Sequence, residues 1–196
     1  MAGLTTVVIT NGDSGLAGNI ALASQHKGFH VLSAARDRSA PSQMGSTQFF
    51  PVDVNQASSV ENFVAGVERF RESGSDLRQQ RFIFVVDAHP KFWLERFKPL
   101  LQINGYWKHD SYNGCFDKYF VGIAHAEAET AGMNESERYS QDRELIQYLT
   151  TLNTENLPHL SSLALLVGAA DSQSIATTLF DVIESGTIPT DKRLRV

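Results

Sequence analysis

The sequence predicts an α/β fold, a doubly wound parallel sheet between two layers of helices. Three observations carry this. Apolar, β-branched runs of strand length alternate with stretches of helical spacing along the chain. The first run, ending Val7-Val8-Ile9-Thr10, is apolar throughout, as in strands buried on both faces. It leads into Gly12, Gly15 and Gly18 and then into a helix-like segment. Repeated β-then-α units need parallel strands with right-handed crossovers, and the doubly wound sheet follows.

The elements read in order as follows. Residues 4–10 form the first strand, and Gly15–His26 a helix with small residues toward the sheet, ended by Gly28. Residues 29–35 form a second strand and residues 47–52 a short third one, ending at Asp53. Residues 57–72 carry Val60, Phe63, Val64, Val67 and Phe70 at helical spacing, until Ser73-Gly74-Ser75-Asp76 breaks the pattern. Residues 81–86, with Phe-Ile-Phe-Val-Val, are a fourth buried strand. A helix over residues 90–103 starts with Pro90 in its first turn, and Pro99 is expected to kink or interrupt it. Residues 119–124 are a fifth strand, and residues 135–152 a long helix with Leu145, Ile146 and Leu149 on one side. Residues 162–167 are a sixth strand, and residues 174–184 a last helix stopped by Gly186. No repeat, low-complexity tract or linker interrupts the order, so residues 1–196 read as one domain.

Composition narrows the function classes. The 196 residues are 42% hydrophobic and 20% charged, ordinary values for a globular domain with a real core. A net charge of -5 argues against nucleic acid or an anionic membrane as the main partner. No apolar run approaches the roughly 20 residues that span a bilayer, and no basic-then-apolar leader opens the chain. A cytoplasmic location is expected. The single cysteine, Cys115, reads as a small packed residue rather than a nucleophile, since nothing marks an activating partner.

The segment Asn11-Gly12-Asp13-Ser14-Gly15-Leu16-Ala17-Gly18 carries the most chemistry. A strand entering glycines at this spacing and leaving as a helix is suited to phosphate. One glycine allows a tight turn, one lets backbone N–H groups reach a pyrophosphate, and one lets the helix pack closely on the strand. Gly12, Asp13, Ser14, Gly15, Leu16 and Gly18 are therefore candidate cofactor-binding residues.

This loop, with Ala34-Ala35-Arg36-Asp37 at the end of the second strand and Phe50-Pro51-Val52-Asp53-Val54 at the third, resembles the short-chain dehydrogenase/reductase family over roughly residues 5–186. The loop spacing is nearer the GxxGxxG form of its atypical and extended members. The resemblance implies a Rossmann-like fold, a nicotinamide dinucleotide and carbonyl or hydroxyl chemistry. The family selects its cofactor at the second strand end. An acid there accepts from the ribose of NAD, whereas an arginine just after it pairs with the 2′-phosphate of NADP. Ala35 followed by Arg36, with Arg38 close by, favours NADP(H) over NAD(H), with solvated loop charges as the plainer alternative. Asp53 and Val54 match the family's Asp-Val beside the adenine; the alternative is that Asp53 caps the next helix.

The reacting end departs from the family. Asp87-Ala88-His89 stands where Asn-Asn-Ala-Gly is usual, so Ala88 alone is retained and His89 replaces a glycine that leaves room for the cofactor. The family's tyrosine, its lysine four residues later and its strand-end serine map onto Tyr139, Arg143 and about His125 or Ala126. One-turn spacing puts Tyr139 and Arg143 on one helix face, and the arginine keeps the positive field without being able to relay a proton. His125 takes the serine's place as a carbonyl partner, or is satisfied locally at the strand end. His109-Asp110 shows no metal-ligand spacing, and Glu127, Glu129, Glu135 and Glu137 read as a solvated loop and helix start. Phe92, Trp93, Phe97, Tyr106 and Trp107 fall on the segment that forms the family's helix-bundle interface; core or pocket lining are the alternatives. A homodimer or higher oligomer is expected by analogy. The functional expectation is an NADP(H)-dependent carbonyl or alcohol oxidoreductase with a degenerate Tyr139–Arg143 pair. The alternative is a dinucleotide-binding regulator or scaffold that has lost the chemistry.

Overall fold

The computed structural model describes residues 4–13, 15–36, 42–73, 79–103, 106–109, 112–130, 139–157, 159–168 and 172–196. In chain order the elements are β1 (Leu4–Ile9), α1 (Gly15–His26), β2 (His30–Ala35), β3 (Ser42–Met44), β4 (Thr47–Pro51), α2 (Ala57–Ser73), β5 (Gln79–Val86) and α3 (Pro90–Leu101). They continue with β6 (Tyr106–His109), β7 (Tyr112–His125), α4 (Glu127–Thr130), α5 (Ser140–Thr151), β8 (Leu160–Val167), α6 (Ser172–Ser185) and β9 (Arg193–Arg195).

Seven parallel strands run in the order β4-β2-β1-β5-β7-β8-β9. Among the described residues two antiparallel strands decorate the sheet, β3 on the edge of β4 and β6 on the first half of β7. The order reverses between β1 and β5, which lie side by side with Ile9 opposite Val85. In an open α/β sheet such a reversal leaves a crevice beyond the carboxyl ends of the strands, where ligands bind.

Two apolar layers explain why the sheet is continuously hydrophobic. Val7, Ile9, Val31, Ile83, Val85 and Val121 face α1 and α6, whose Ile20, Ile175, Leu179 and Phe180 are fully buried. The alternate residues, Val8, Leu32, Phe82, Phe84 and Phe120, face α2, α3 and α5 through Phe63, Trp93, Phe97, Leu145 and Leu149. Gly122 lets α5 lie close to β7, because a Cβ there would collide with the Leu145 and Leu149 side chains. That close packing decides how far the start of α5 stands from the end of β7.

Helix α1 and the starts of β4, α2 and α3 coincide with the sequence reading, and four features differ from it. The fifth strand is far longer, because its first half pairs with β6 as a hairpin. Strand β9 follows the last helix and pairs with β8 at the sheet edge. Helix α3 runs through Pro99 but ends two residues later at Leu101, and the buried Lys118 ammonium donates to Leu101 O and Ile103 O at 2.7 Å each. Burial pulls the Lys118 pKa down to about 8, against the opposing effect of Asp117. The aromatic set divides: Trp93 and Phe97 are core residues stacked at 5.7 Å, while Tyr106 and Trp107 belong to β6 rather than to the helix. Cys115 lies in β7, opposite Gln79.

Candidate functional site

The glycine loop leaves β1 at the crevice. Gly12 N donates to Ala34 O at 2.8 Å, which draws the turn onto the neighbouring strand. A Cβ at Gly12 would strike Ser33 Oγ, and one at Gly18 would lie 3.2 Å from Gly12 O, so packing excludes a side chain at Gly12 and crowds one at Gly18. Gly15 differs: a Cβ there would meet nothing within 4 Å. It stands at the first turn of α1, whose opening N–H groups have no partner within the helix and whose dipole favours an anion. Asp13 is exposed beside it, Leu16 packs at the rim of the core, and Ser14 lies outside the described residues.

A cleft of about 500 Å³ continues from the strand ends, lined by Arg36, Phe50, Asp53, Ser59, Asn62 and Arg69 among others. Asp53 does not cap α2. Its Oδ1 accepts from Asn55 N at 2.9 Å and from Asn55 Nδ2 at 3.1 Å, while Asp53 O accepts from Gln56 N and Ser59 Oγ. Arg69 had no marker in the sequence; the fourth turn of α2 brings it to the cleft that Arg36 also lines. Asp37 and Arg38 lie outside the described residues. Val54 is half-buried against the core beside the cleft.

Across the crevice, Asn11 Nδ2 donates to Asp87 Oδ2 at 2.8 Å, tying the glycine loop to the end of β5. His89 adopts φ 53 and ψ 50, the left-handed conformation that glycine enters freely. A residue with a Cβ holds that conformation at a cost of about 1–2 kcal/mol. The His89 side chain is exposed. Ala88 and His89 open a second cleft of about 720 Å³ that runs between α3 and α5 past Lys91, Phe92, Gln141 and Tyr148. The Lys91 ammonium lies 5.7 Å from the centre of the Tyr148 ring, and burial together with nearby Glu95 pushes the Tyr148 hydroxyl pKa up.

At the end of β7 the structure joins residues that the sequence keeps apart. Asp142 Oδ2 accepts both from His125 N at 2.9 Å and from His125 Nδ1 at 2.7 Å. The Tyr139 ring meets the His125 ring at 6.2 Å in an edge-on arrangement. Tyr139 is the residue before α5, with φ -106 and ψ 4, and Arg143 is half-buried in the first turn. The acidic cluster is also revised. Glu129 is no solvated charge: its carboxylate binds Arg193 and Arg195 at 3.0 Å each, fastening β9 to α4. Glu135, Glu137 and Asp110 lie outside the described residues, and no group of three metal-ligating side chains is found among the described ones.

No protein-family model and no curated protein sequence matches the chain. Solved structures do. A short-chain dehydrogenase from Streptomyces avermitilis superposes with a TM-score of 0.73 at 13% identity, over 99% of this chain and 89% of that one. The 3-ketoacyl-(acyl-carrier-protein) reductase from Brucella melitensis, complexed with NADH, also gives 0.73 at 13% identity, over 99% and 97%. Serine dehydrogenase from Escherichia coli gives 0.69 at 12% identity, over 97% and 96%. This is the short-chain dehydrogenase/reductase fold.

Within that fold, the residues present fit a nicotinamide dinucleotide at the switch point. Gly15 leaves open the space that a pyrophosphate needs, and Arg36 with Arg69 supplies positive charge to the adjoining cleft. At the positions that the resemblance matches to the family's lysine and serine, the chain carries Arg143 and His125 or Ala126. Sequence reasoning missed Asp142, which follows His125 by seventeen residues. Its one sequence signal is an acid in the first turn of a helix. No described helix is long and apolar enough to cross a membrane.

Proposed function

We propose that the protein is an NADP(H)-dependent oxidoreductase of the short-chain dehydrogenase/reductase type, acting on a carbonyl or hydroxyl group of a small molecule. The observation that carries this reading is the division among three glycines. Gly12 is required by the fold and Gly18 is crowded by it, whereas Gly15 is required by nothing in it and faces open space. Such a glycine is explained by a ligand that approaches the backbone closely.

In this reading the N–H groups that open α1, from Gly15 and Leu16 onward, bind the pyrophosphate, with Asp13 and Ser14 at its edge. Asp53 and Val54 border the adenine, and Arg36, with Arg69 behind it, pairs with the 2′-phosphate. Ala88 lies on the nicotinamide side. When bound, the reduced dinucleotide supplies a hydride to a carbonyl carbon. Tyr139, Arg143 and His125 surround the carbonyl oxygen. A homodimer or higher oligomer belongs to the same reading.

The test is a titration of the purified protein with NADPH and with NADH, followed by fluorescence and thermal shift. NADPH is expected to bind at least about tenfold more tightly, a difference of about 1.4 kcal/mol, and to raise Tm as mass action requires. Arg36→Ala should remove most of that preference while leaving NADH binding unchanged. Binding of neither dinucleotide would overturn the proposal.

A further inference from the structure

We infer that His125 and Asp142 form an acid–base dyad in which His125 Nε2 exchanges a proton with the substrate oxygen and Asp142 is its positioning residue. The inference rests on the oxidoreductase reading above and says which group handles the proton.

Four observations carry it. First, one carboxylate oxygen, Asp142 Oδ2, receives two N–H groups of the same residue, the backbone N–H of His125 at 2.9 Å and its ring Nδ1 at 2.7 Å. This double attachment fixes both the strand end and the ring. Second, a carboxylate can only accept, so the neutral ring carries its hydrogen on Nδ1 and leaves Nε2 as the exchanging atom. Third, the Asp142 side chain is 15% exposed and that of His125 is 64% exposed, so the anchor is largely covered while the working end is open. Nε2 has no protein partner among the described residues. Fourth, the dyad stands at the carboxyl end of β7, next to β5 in the sheet and therefore on the edge that carries the crevice.

The ionisable neighbours of His125 include Asp142 and Tyr139 from the start of α5, while β8 on the other side places Val167 at the matching register. A histidine with only a structural role needs no outward nitrogen. A carboxylate on Nδ1 both orients an imidazole and stabilises the imidazolium while its proton is in transit. Tyr139 is poorly placed for the same duty. It stands at the very start of the helix, and the residue one turn later is an arginine that stays charged. Tyr139 meets the edge of the His125 ring and is read as a group that orients the carbonyl.

The step balances. The carbonyl carbon takes a hydride from NADPH, and the carbonyl oxygen takes a proton from His125 Nε2. The products are the alcohol, NADP⁺ and a neutral imidazole, which regains its proton from solvent. Oxidation of the alcohol runs the same transfers backwards.

The first test reads the full chain without turnover. Two-dimensional ¹H–¹⁵N spectra of the histidine side chains, recorded across the imidazole titration, should show neutral His125 with its hydrogen on Nδ1. Asp142→Asn keeps an oxygen that can accept the His125 N–H groups but loses the charge. In it the preference for hydrogen on Nδ1 should weaken while NADPH still binds. The second test is reduction of a panel of aldehydes and ketones by NADPH. His125→Gln should lose at least about 100-fold in kcat and the pH dependence that His125 supplies, Asp142→Asn about tenfold. Added imidazole should restore part of the rate to His125→Ala. Hydrogen on Nε2 of neutral His125, or a larger loss in Tyr139→Phe than in His125→Gln, would overturn the dyad. Failure of NADPH to bind the unaltered protein overturns the oxidoreductase reading as well, whereas NADPH binding with a failed dyad leaves that reading standing.

Discussion

Between β1 and α1 the candidate site is made by backbone; from β5 to α5 it is made by side chains. In the first region the requirements are steric, since Gly12 has no room for a Cβ, Gly18 has little and Gly15 leaves its room vacant. In the second, side chains carry the chemistry: His89 is held in the left-handed conformation that glycine enters freely, and Asp142 binds His125 at the end of β7. The contrast teaches which parts of a site can drift. A backbone cradle tolerates almost no substitution, whereas a proton can be handled by any acid that packing brings to the same edge.

The strongest way to break the comparison is to exchange the two kinds of glycine. Gly12→Val is expected to destabilise the fold by about 1–3 kcal/mol through overpacking against Ser33, seen as a lower denaturation midpoint. Gly15→Ala should leave Tm unchanged or slightly raised, because alanine favours a helix, yet weaken NADPH at least about tenfold. Equal loss of stability in both variants would erase the distinction.

Next in size is Gly122→Ala, which pushes Leu145 and Leu149 and therefore the start of α5. We expect about 1–2 kcal/mol of destabilisation, with activity falling several times more than NADPH affinity, since α5 carries Asp142 and not the glycine loop. A uniform loss of both would mean that the two regions are not separable.

Lys118 tests the packing of the second region by pH. Its pKa is about 8 in the folded chain, against about 10.4 when unfolded. Between these values the unfolded chain binds more protons, so stability should rise with pH, by on the order of 1–3 kcal/mol across the window. Below about pH 8 both states are protonated and the rise is absent. Urea midpoints of Lys118→Met should lack this slope, while titrations common to both proteins cancel in the difference.

The smallest effect belongs to Asp13, an exposed carboxylate at the edge of the proposed phosphate site. Asp13→Asn should tighten NADPH by about threefold at low salt, and the gain should fade as salt rises. No change at low salt would place the phosphates away from this residue.

Legibility follows the same division. Helix α1 and the starts of β4 and α2 could be read because glycine spacing, strand-length apolar runs and helical spacing are local signals. Strands β3, β6 and β9 are short edge elements of three or four residues, which owe their existence to a neighbour rather than to a pattern of their own. Trp93 and Phe97 could not be assigned to core or interface by type, since both environments favour aromatic residues. Asp142 and Arg69 were missed for one reason. Each is an ordinary charge on an amphipathic helix until α5 is laid on Gly122 and α2 on β4.

The bond from Asn11 to Asp87 has an optical consequence. It joins the glycine loop to the turn in which Trp93 N donates to His89 O, and Trp93 is one of two tryptophans in the chain, only 2% exposed. NADPH binding at the loop is therefore expected to change the emission of this buried indole, which a fluorescence titration reads. Emission from that indole becomes an intrinsic gauge of events some distance along the crevice, with no label needed.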